Sequence, residues 1–465
     1  MNVYPRTALD CIKAFSAGAM SAREIATATC ARIAAHNPLL NAFIDVTNTR
    51  ALAEADALDA ARQRGDASPL LAAVPYAVKN LFDVAGITTL AGAKVLGRNP
   101  PAEHDAVLVE RMHGAGSLLM GTLNMDALAY GFTTENTHFG ATHNPRDAAR
   151  TAGGSSGGTG AAVAAGLVPI GLGSDTNGSL RVPASLCGVF GLKPTYGRLP
   201  RTGTFPFVAS LDHLGPLAST VDDLALAYDV LQGPDPRDTV CAQRTTEPTR
   251  DKIKRGLKGL RVARLGGYFD HNAGPEARWA ATTAAAALGA SDEILLTGAA
   301  QARAAAFVIT ASEGGALHLD ALREYAEEFE PLSRDRLTAG VLIPATWYQQ
   351  AQRYRRLFLS QALALFEQYD LLIAPATPVT APVLGQETIQ LGGQALTTRP
   401  NLGLLTQPIS FIGLPVAVAP LWPDGGLPIG VQLIAAPWRE EVCLRAAWAL
   451  QELGLASCRL GDGAS

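Results

Sequence analysis

The sequence predicts an α/β layer fold with a mixed sheet. Short apolar, β-prone runs alternate with longer helical patterns along the chain. Hydrophobic residues make up 48% of the 465 and charged residues only 17%, which suits a large buried core. No internal repeat or charged low-complexity tract interrupts the alternation.

Taken in order, residues 8–36 read as helix followed by helix. Ser21 with Glu24 three residues later forms a capping-box pattern, and Asn37-Pro38 is expected to end the second helix. Residues 47–64 are alanine-rich and helical. VPYAVKN (74–80) and AGITTLAGA (85–93) predict strand, turn and strand, and HDAVLVERMHGAGSLLMG (104–121) predicts helix then strand. A helix is expected over 221–233, a strand over 261–267, an alanine-rich helix over 275–288, and another strand in SDEILLT (291–297). The polar, proline-bearing stretch 234–256 predicts a surface connection into a variable region of 250–370 that shapes the substrate pocket.

Charge and cysteine usage narrow the function. A net charge of −4 offers no basic surface, so nucleic acid is not an expected partner. Cys11, Cys30, Cys187, Cys241, Cys443 and Cys458 form no CxxC pair and read as reduced thiols. No secretory leader pattern opens the chain, and no apolar run approaches the ~20 residues of a membrane span. A cytoplasmic protein without a membrane partner is expected.

The chemistry concentrates in TAGGSSGGTG (151–160) and GLGSDTNGSLR (171–181), with Lys79 upstream. Two glycine-flanked serines, Ser155 and Ser179, and a lysine can cleave an amide without histidine or metal. The lysine, held neutral, takes the nucleophile's proton through the intermediate serine. Free lysine titrates near ~10.4, so burial must pull it toward roughly 7–8. GGSSGG also reads as a flexible linker, but the apolar GAAVAAGLVPIGLG that follows favours a turn packed into the core. The segment satisfies GxSxG, yet HNPRDAAR before it is polar, and the last histidine is His318, against the strand and late histidine of an α/β-hydrolase. No phosphate- or dinucleotide-binding loop is present, and no cofactor is expected. His138 and His143 lack a third ligand nearby and read as loop residues, so no metal is expected.

These residues sit in ordered blocks that resemble the amidase signature family: VPYAVKN, GTLNMD (121–126), TAGGSSGGTGAAVAAG (151–166), GLGSDTNGSLRVPASLCGVFGLKPTYGRLP (171–200) and SLDHLGPLA (210–218). Weaker matches follow in GLPVAVAP (413–420) and LPIGVQLI (427–434). The resemblance implies a mixed central β-sheet covered by α-helices on both faces, in one domain over 1–465. Its parts are an N-terminal helical segment (1–66), a signature catalytic core (67–233), a variable region (234–370) and a C-terminal return to the core (371–465). It implies Ser179 as nucleophile, Ser155 as bridging serine entered by a cis peptide bond from Gly154, and Lys79 as base. Thr176, Asn177 and Gly178, with Ser179, would offer backbone N–H groups to the oxyanion, one such donor being worth ~2.7–4 kcal/mol in other hydrolases. Asp175 and Arg181 would hold that loop, and Ser156 reads as a backbone-bonding turn serine.

Three departures from the family pattern stand out, Asn80 favouring a neutral Lys79 and the other two bearing on the substrate. Asn177 replaces a frequent glycine, Asn80 replaces an aspartate, and Gly403 stands where the tRNA-amidotransferase branch has the aspartate that holds an amino-acid ammonium. Arg355, in WYQQAQRYRRLF (347–358), matches a carboxylate-holding arginine of that branch, although Arg353, Arg355 and Arg356 read equally as a solvated helix face. With Asn177 and His213, the chain looks closest to the carboxybiuret-hydrolase branch. That implies a small helical partner subunit, and a small anionic urea-like amide as substrate. The alternatives are the catalytic subunit of a glutamine-dependent amidotransferase and an allophanate-type hydrolase, and a homo-oligomer stays open. Intact Lys79, Ser155 and Ser179 speak against an inert scaffold.

Overall fold

The computed structural model describes residues 4–460. Eleven strands form one mixed sheet: β1 (Phe43–Val46), β2 (Pro75–Lys79), β3 (Leu118–Leu123), β4 (Ile170–Asp175), β5 (Phe190–Lys193), β6 (His213–Ala218), β7 (Val262–Leu265), β8 (Asp292–Ile294), β9 (Leu371–Pro375), β10 (Val416–Leu421) and β11 (Ile429–Ile434). Their spatial order is β1-β3-β2-β4-β6-β5-β10-β11-β9-β7-β8. β3, β2 and β4 run parallel, as do β9, β7 and β8, and the stretch from β4 to β9 is antiparallel.

Every residue of β2 to β6 and of β9 to β11 is buried, so both faces of the sheet are covered. The sheet opens partly toward its ends, at β1 on one side and at β7 and β8 on the other. The helices Gly157–Ala164 and Arg181–Cys187 pack on the central strands, as do Val221–Leu231 and Glu440–Glu452. Among the described residues no helix is long and apolar enough to cross a membrane.

The N-terminal helices are Ala8–Ser16 and Ala22–Leu40, the second opened by the Ser21–Glu24 capping box. That helix runs through Pro38 instead of stopping before it. Proline is tolerated there because the turn is completed by Asn41 in a left-handed conformation, whose N–H bonds the Asn37 carbonyl. AGITTLAGA (85–93) forms no strand. Gly86, Ala91 and Gly92 all have positive φ, and the Ala91 N–H returns to the Asn80 carbonyl at 2.9 Å. Asp147–Thr151, the polar stretch before Ser155, stays outside the main sheet: it pairs with His143–Asn144 in a separate ribbon and bridges to Val383 through Arg150.

Parallel pairing of β2 with β4, in the register Val78 opposite Leu172, brings Lys79 at the end of one strand beside Gly173 and Ser174 at the end of the other. The helices Ala299–Leu317 and Pro331–Val341 pack together. Gly340 makes this close approach possible, since a Cβ there would lie 2.0 Å from the Ala311 carbonyl oxygen.

Candidate active site

Lys79 is completely buried, and its Nζ lies 2.7 Å from Ser155 Oγ and 2.9 Å from Ser174 Oγ. Burial pushes its pKa down to about 7 against the partial opposition of Asp126, Asp212 and Asp175. A neutral amine has one lone pair and two N–H groups, so it can accept from Ser155 while donating to Ser174. Asn80, next in sequence, donates from Nδ2 to Thr122 Oγ1 and adds no charge beside the lysine.

The two serine segments meet through the Ser156 N–H, which donates to the Ser179 carbonyl at 3.3 Å. The peptide bond between Gly154 and Ser155 is cis. Ser156 Oγ binds the backbone of Ser174 and is engaged there. Ser179 Oγ, in contrast, bonds no described side chain or backbone group, and Ser179 lines a narrow pocket.

The loop that carries Ser179 is held by a buried ion pair. Arg181 meets Asp175 through Nε (2.9 Å) and Nη2 (3.0 Å), and also binds Gln432 Oε1 at 2.6 Å, the Thr406 carbonyl and Ser410. Burial works to raise the Asp175 carboxyl, but the Arg181 guanidinium outweighs it and holds the group well below the usual carboxylate range. Asp175 Oδ1 also accepts the Gly178 N–H at 2.8 Å. That donor is therefore turned away from an oxyanion, while the N–H groups of Thr176, Asn177 and Ser179 have no acceptor among the described residues. Gly178 has φ +139°, and a Cβ there would meet Thr406 Oγ1 at 2.0 Å, so no other residue fits this turn. Thr176 Oγ1 is fixed by Asp212 at 2.6 Å. His213 Nδ1 donates to the Leu211 and Asp175 carbonyls; burial, then Lys193, pushes its pKa well down, so it braces the loop as a neutral ring.

Beside Ser179 the pocket is lined by Tyr130, Phe132, Asn177, Thr310, Arg336 and Gln407. Arg336 lies 3.6 Å from the centre of the Tyr130 ring and donates to the Tyr130 carbonyl at 3.4 Å. No described carboxylate pairs with it, and burial pushes its pKa down. A larger cavity of about 330 Å³ adjoins through Thr176 and Phe207 and reaches Ser174 and Asp212.

The amidase family matches residues 24–444, most of the chain. The chain belongs to the amidase family. It is 58% identical over 450 residues to AtzE of Pseudomonas sp. strain ADP, a 1-carboxybiuret hydrolase subunit, covering 96% of this chain and 98% of that protein. It is 37% identical to the A-type component of the glutamyl-tRNA(Gln) amidotransferase of Chloroflexus aggregans, covering 95% and 94%. A solved structure, described as a vestigial protein complex that reveals the evolutionary origins of an s-triazine catabolic enzyme, superimposes with a TM-score of 0.96 at 57% identity. That likeness covers 97% of this chain and all of the other.

Within this amidase, Lys79, Ser155, Thr176, Asn177, Gly178 and Ser179 gather at one end of β2 and β4, whereas Arg355 does not reach the pocket. Its Nε donates to the Phe411 carbonyl at 2.6 Å, and its guanidinium stacks over Tyr196. The arginine that lines the pocket is Arg336, which sequence reasoning missed; PLSRDRLTAGV gives no spacing signal for it. Ser174 was also missed, although it lies inside the GLGSDTNGS block. His138 Nδ1 accepts the Lys94 N–H, and His143 Nδ1 bonds the Ala148 carbonyl.

Proposed function

We propose that this amidase hydrolyses the terminal amide of 1-carboxybiuret, giving urea-1,3-dicarboxylate and ammonia. The observation that carries the reading is Arg336, a cation in the Ser179 pocket with no described carboxylate partner. A substrate carboxylate would complete it. Gly403 adds a second argument: a Cβ there would lie 2.3 Å from the Phe132 ring, so an aspartate for a substrate ammonium has no room. The identity with a relative named as a 1-carboxybiuret hydrolase subunit supports the same substrate.

In the mechanism we infer, Ser179 Oγ attacks the terminal carbonyl while its proton passes through Ser155 to Lys79 Nζ. The N–H groups of Asn177 and Ser179 receive the oxyanion. Collapse expels ammonia, with Lys79 returning the proton through Ser155, and leaves an acyl ester on Ser179. Water, activated along the same route, attacks the ester and releases the dicarboxylate.

Ammonia release from 1-carboxybiuret and from glutamine tests this reading. Turnover of carboxybiuret with none of glutamine is expected, and the reverse preference overturns the substrate. An Arg–carboxylate bond is worth about 1.5–3 kcal/mol. Arg336→Gln should therefore raise KM for carboxybiuret about tenfold or more, while Arg355→Gln should change it far less. An equal effect of the two variants would remove Arg336 from substrate binding.

We further propose a cytoplasmic enzyme with a small helical partner subunit. Six free thiols support the compartment, and the solved relative's description as a complex supports the partner. Co-expression with a small protein encoded beside it should raise soluble yield or activity. A fully active lone chain that does not co-purify with that protein would defeat the partner.

A further inference from the structure

Two amide side chains line the Ser179 pocket, and each has one end tied off by a neighbour. Asn177 donates from Nδ2 to Thr310 Oγ1 at 2.9 Å, and its Oδ1 is buried without a partner. Gln407 Oε1 accepts from Arg303 Nε at 2.8 Å. A guanidinium only donates, so the end of Gln407 that faces Arg303 must be the oxygen. Arg303 borders a different cavity, with Tyr268 and His271, so Gln407 Nε2 is left on the Ser179 side with no described acceptor. The two residues are neighbours across one link: Thr406, next to Gln407, donates from Oγ1 to the Asn177 carbonyl at 2.8 Å.

The site thus holds an acceptor, Asn177 Oδ1, and a donor, Gln407 Nε2, and Arg303 fixes the orientation of the second. Leaving a buried acceptor such as Asn177 Oδ1 unpaired is unfavourable, and a bound N–H would satisfy it. We infer that Asn177 and Gln407 are specificity-determining residues, Asn177 Oδ1 accepting a substrate N–H and Gln407 Nε2 donating to a substrate carbonyl, so that the site reads the alternating N–H and C=O edge of a urea unit. This rests on the proposed substrate class and explains how a urea-like amide is told from an aliphatic one. Arg336 would hold the carboxylate of either.

Glutaramate supplies the comparison. It has the carboxylate and terminal amide of 1-carboxybiuret at the same separation, with three methylenes replacing N–H, C=O and N–H. Its kcat/KM, or its competitive inhibition constant if it is not cleaved, is measured beside kcat/KM for carboxybiuret. Gln407→Glu keeps the shape and the tie to Arg303 while turning the pocket-facing donor into an acceptor; Gln407→Met is the uncharged second variant. Asn177→Gly removes the acceptor.

Each variant should lower the preference for carboxybiuret over glutaramate by about tenfold or more, because a site built to hydrogen-bond loses most on the substrate that supplied the partners. A preference unchanged within twofold, or equal losses on both compounds, overturns the inference and leaves the substrate reading intact. Absence of carboxybiuret turnover by the unmodified enzyme defeats the substrate reading and this inference with it.

Discussion

Ser179→Ala is expected to reduce amide hydrolysis to background. Four serines crowd this site, and their hydrogen bonds separate them; Ser174 Oγ lies 2.9 Å from Lys79 Nζ. Ser155 Oγ is bound to Lys79 at 2.7 Å, and Ser156 Oγ is tied to the Ser174 backbone. Ser179 Oγ alone has no described partner and lies beside loop N–H groups free to hold an oxyanion. Removing a serine nucleophile leaves only binding and oxyanion stabilisation, about 10³–10⁴-fold over water in other serine hydrolases. Intact-mass analysis after an acylating inhibitor should give a single adduct that maps to Ser179 and is lost in the alanine variant. An adduct on Ser155 or Ser156 would reassign the nucleophile.

Lys79→Met should likewise remove turnover by orders of magnitude, and Lys79→Arg should not restore it, because arginine stays charged. With the lysine pKa near 7, the base is neutral above that value. The rate should therefore fall as pH drops through about 7. Stability carries an independent signature. The folded pKa of about 7 lies below the unfolded value, so between the two the unfolded chain binds one more proton. Folding stability then rises with pH across that window and levels off below it. Buried Lys193, whose pKa is also pushed down to about 7 by burial and then by Arg181, contributes in the same direction and is present in both proteins compared. The stability of wild type relative to Lys79→Met should increase by about 1.4 kcal/mol per pH unit at most between neutral and alkaline pH. Denaturant unfolding at two pH values in that window reads it directly. A difference that does not vary with pH would mean that the lysine is charged when folded.

The sequence blocks by themselves determined the family, the alternation of helices and strands, and the set Lys79, Ser155 and Ser179, because these are local patterns of glycine, serine and apolar residues. The Ser21–Glu24 cap and the strand ending at Lys79 were legible for the same reason. AGITTLAGA was misread because its β-prone composition says nothing of Ala91, whose positive φ follows from its bond back to Asn80. Only the tertiary structure decided which donors and cations face the reacting centre. Asp175 draws the Gly178 N–H away, Arg355 is held by the Phe411 carbonyl, and the packing of Ala299–Leu317 with Pro331–Val341 delivers Thr310 and Arg336 instead. The physical reason is distance along the chain. Burial, the loss of water around Lys79 and the meeting of Asn177 with Thr310 arise between segments far apart in sequence, and periodicity or spacing within one segment carries no record of them.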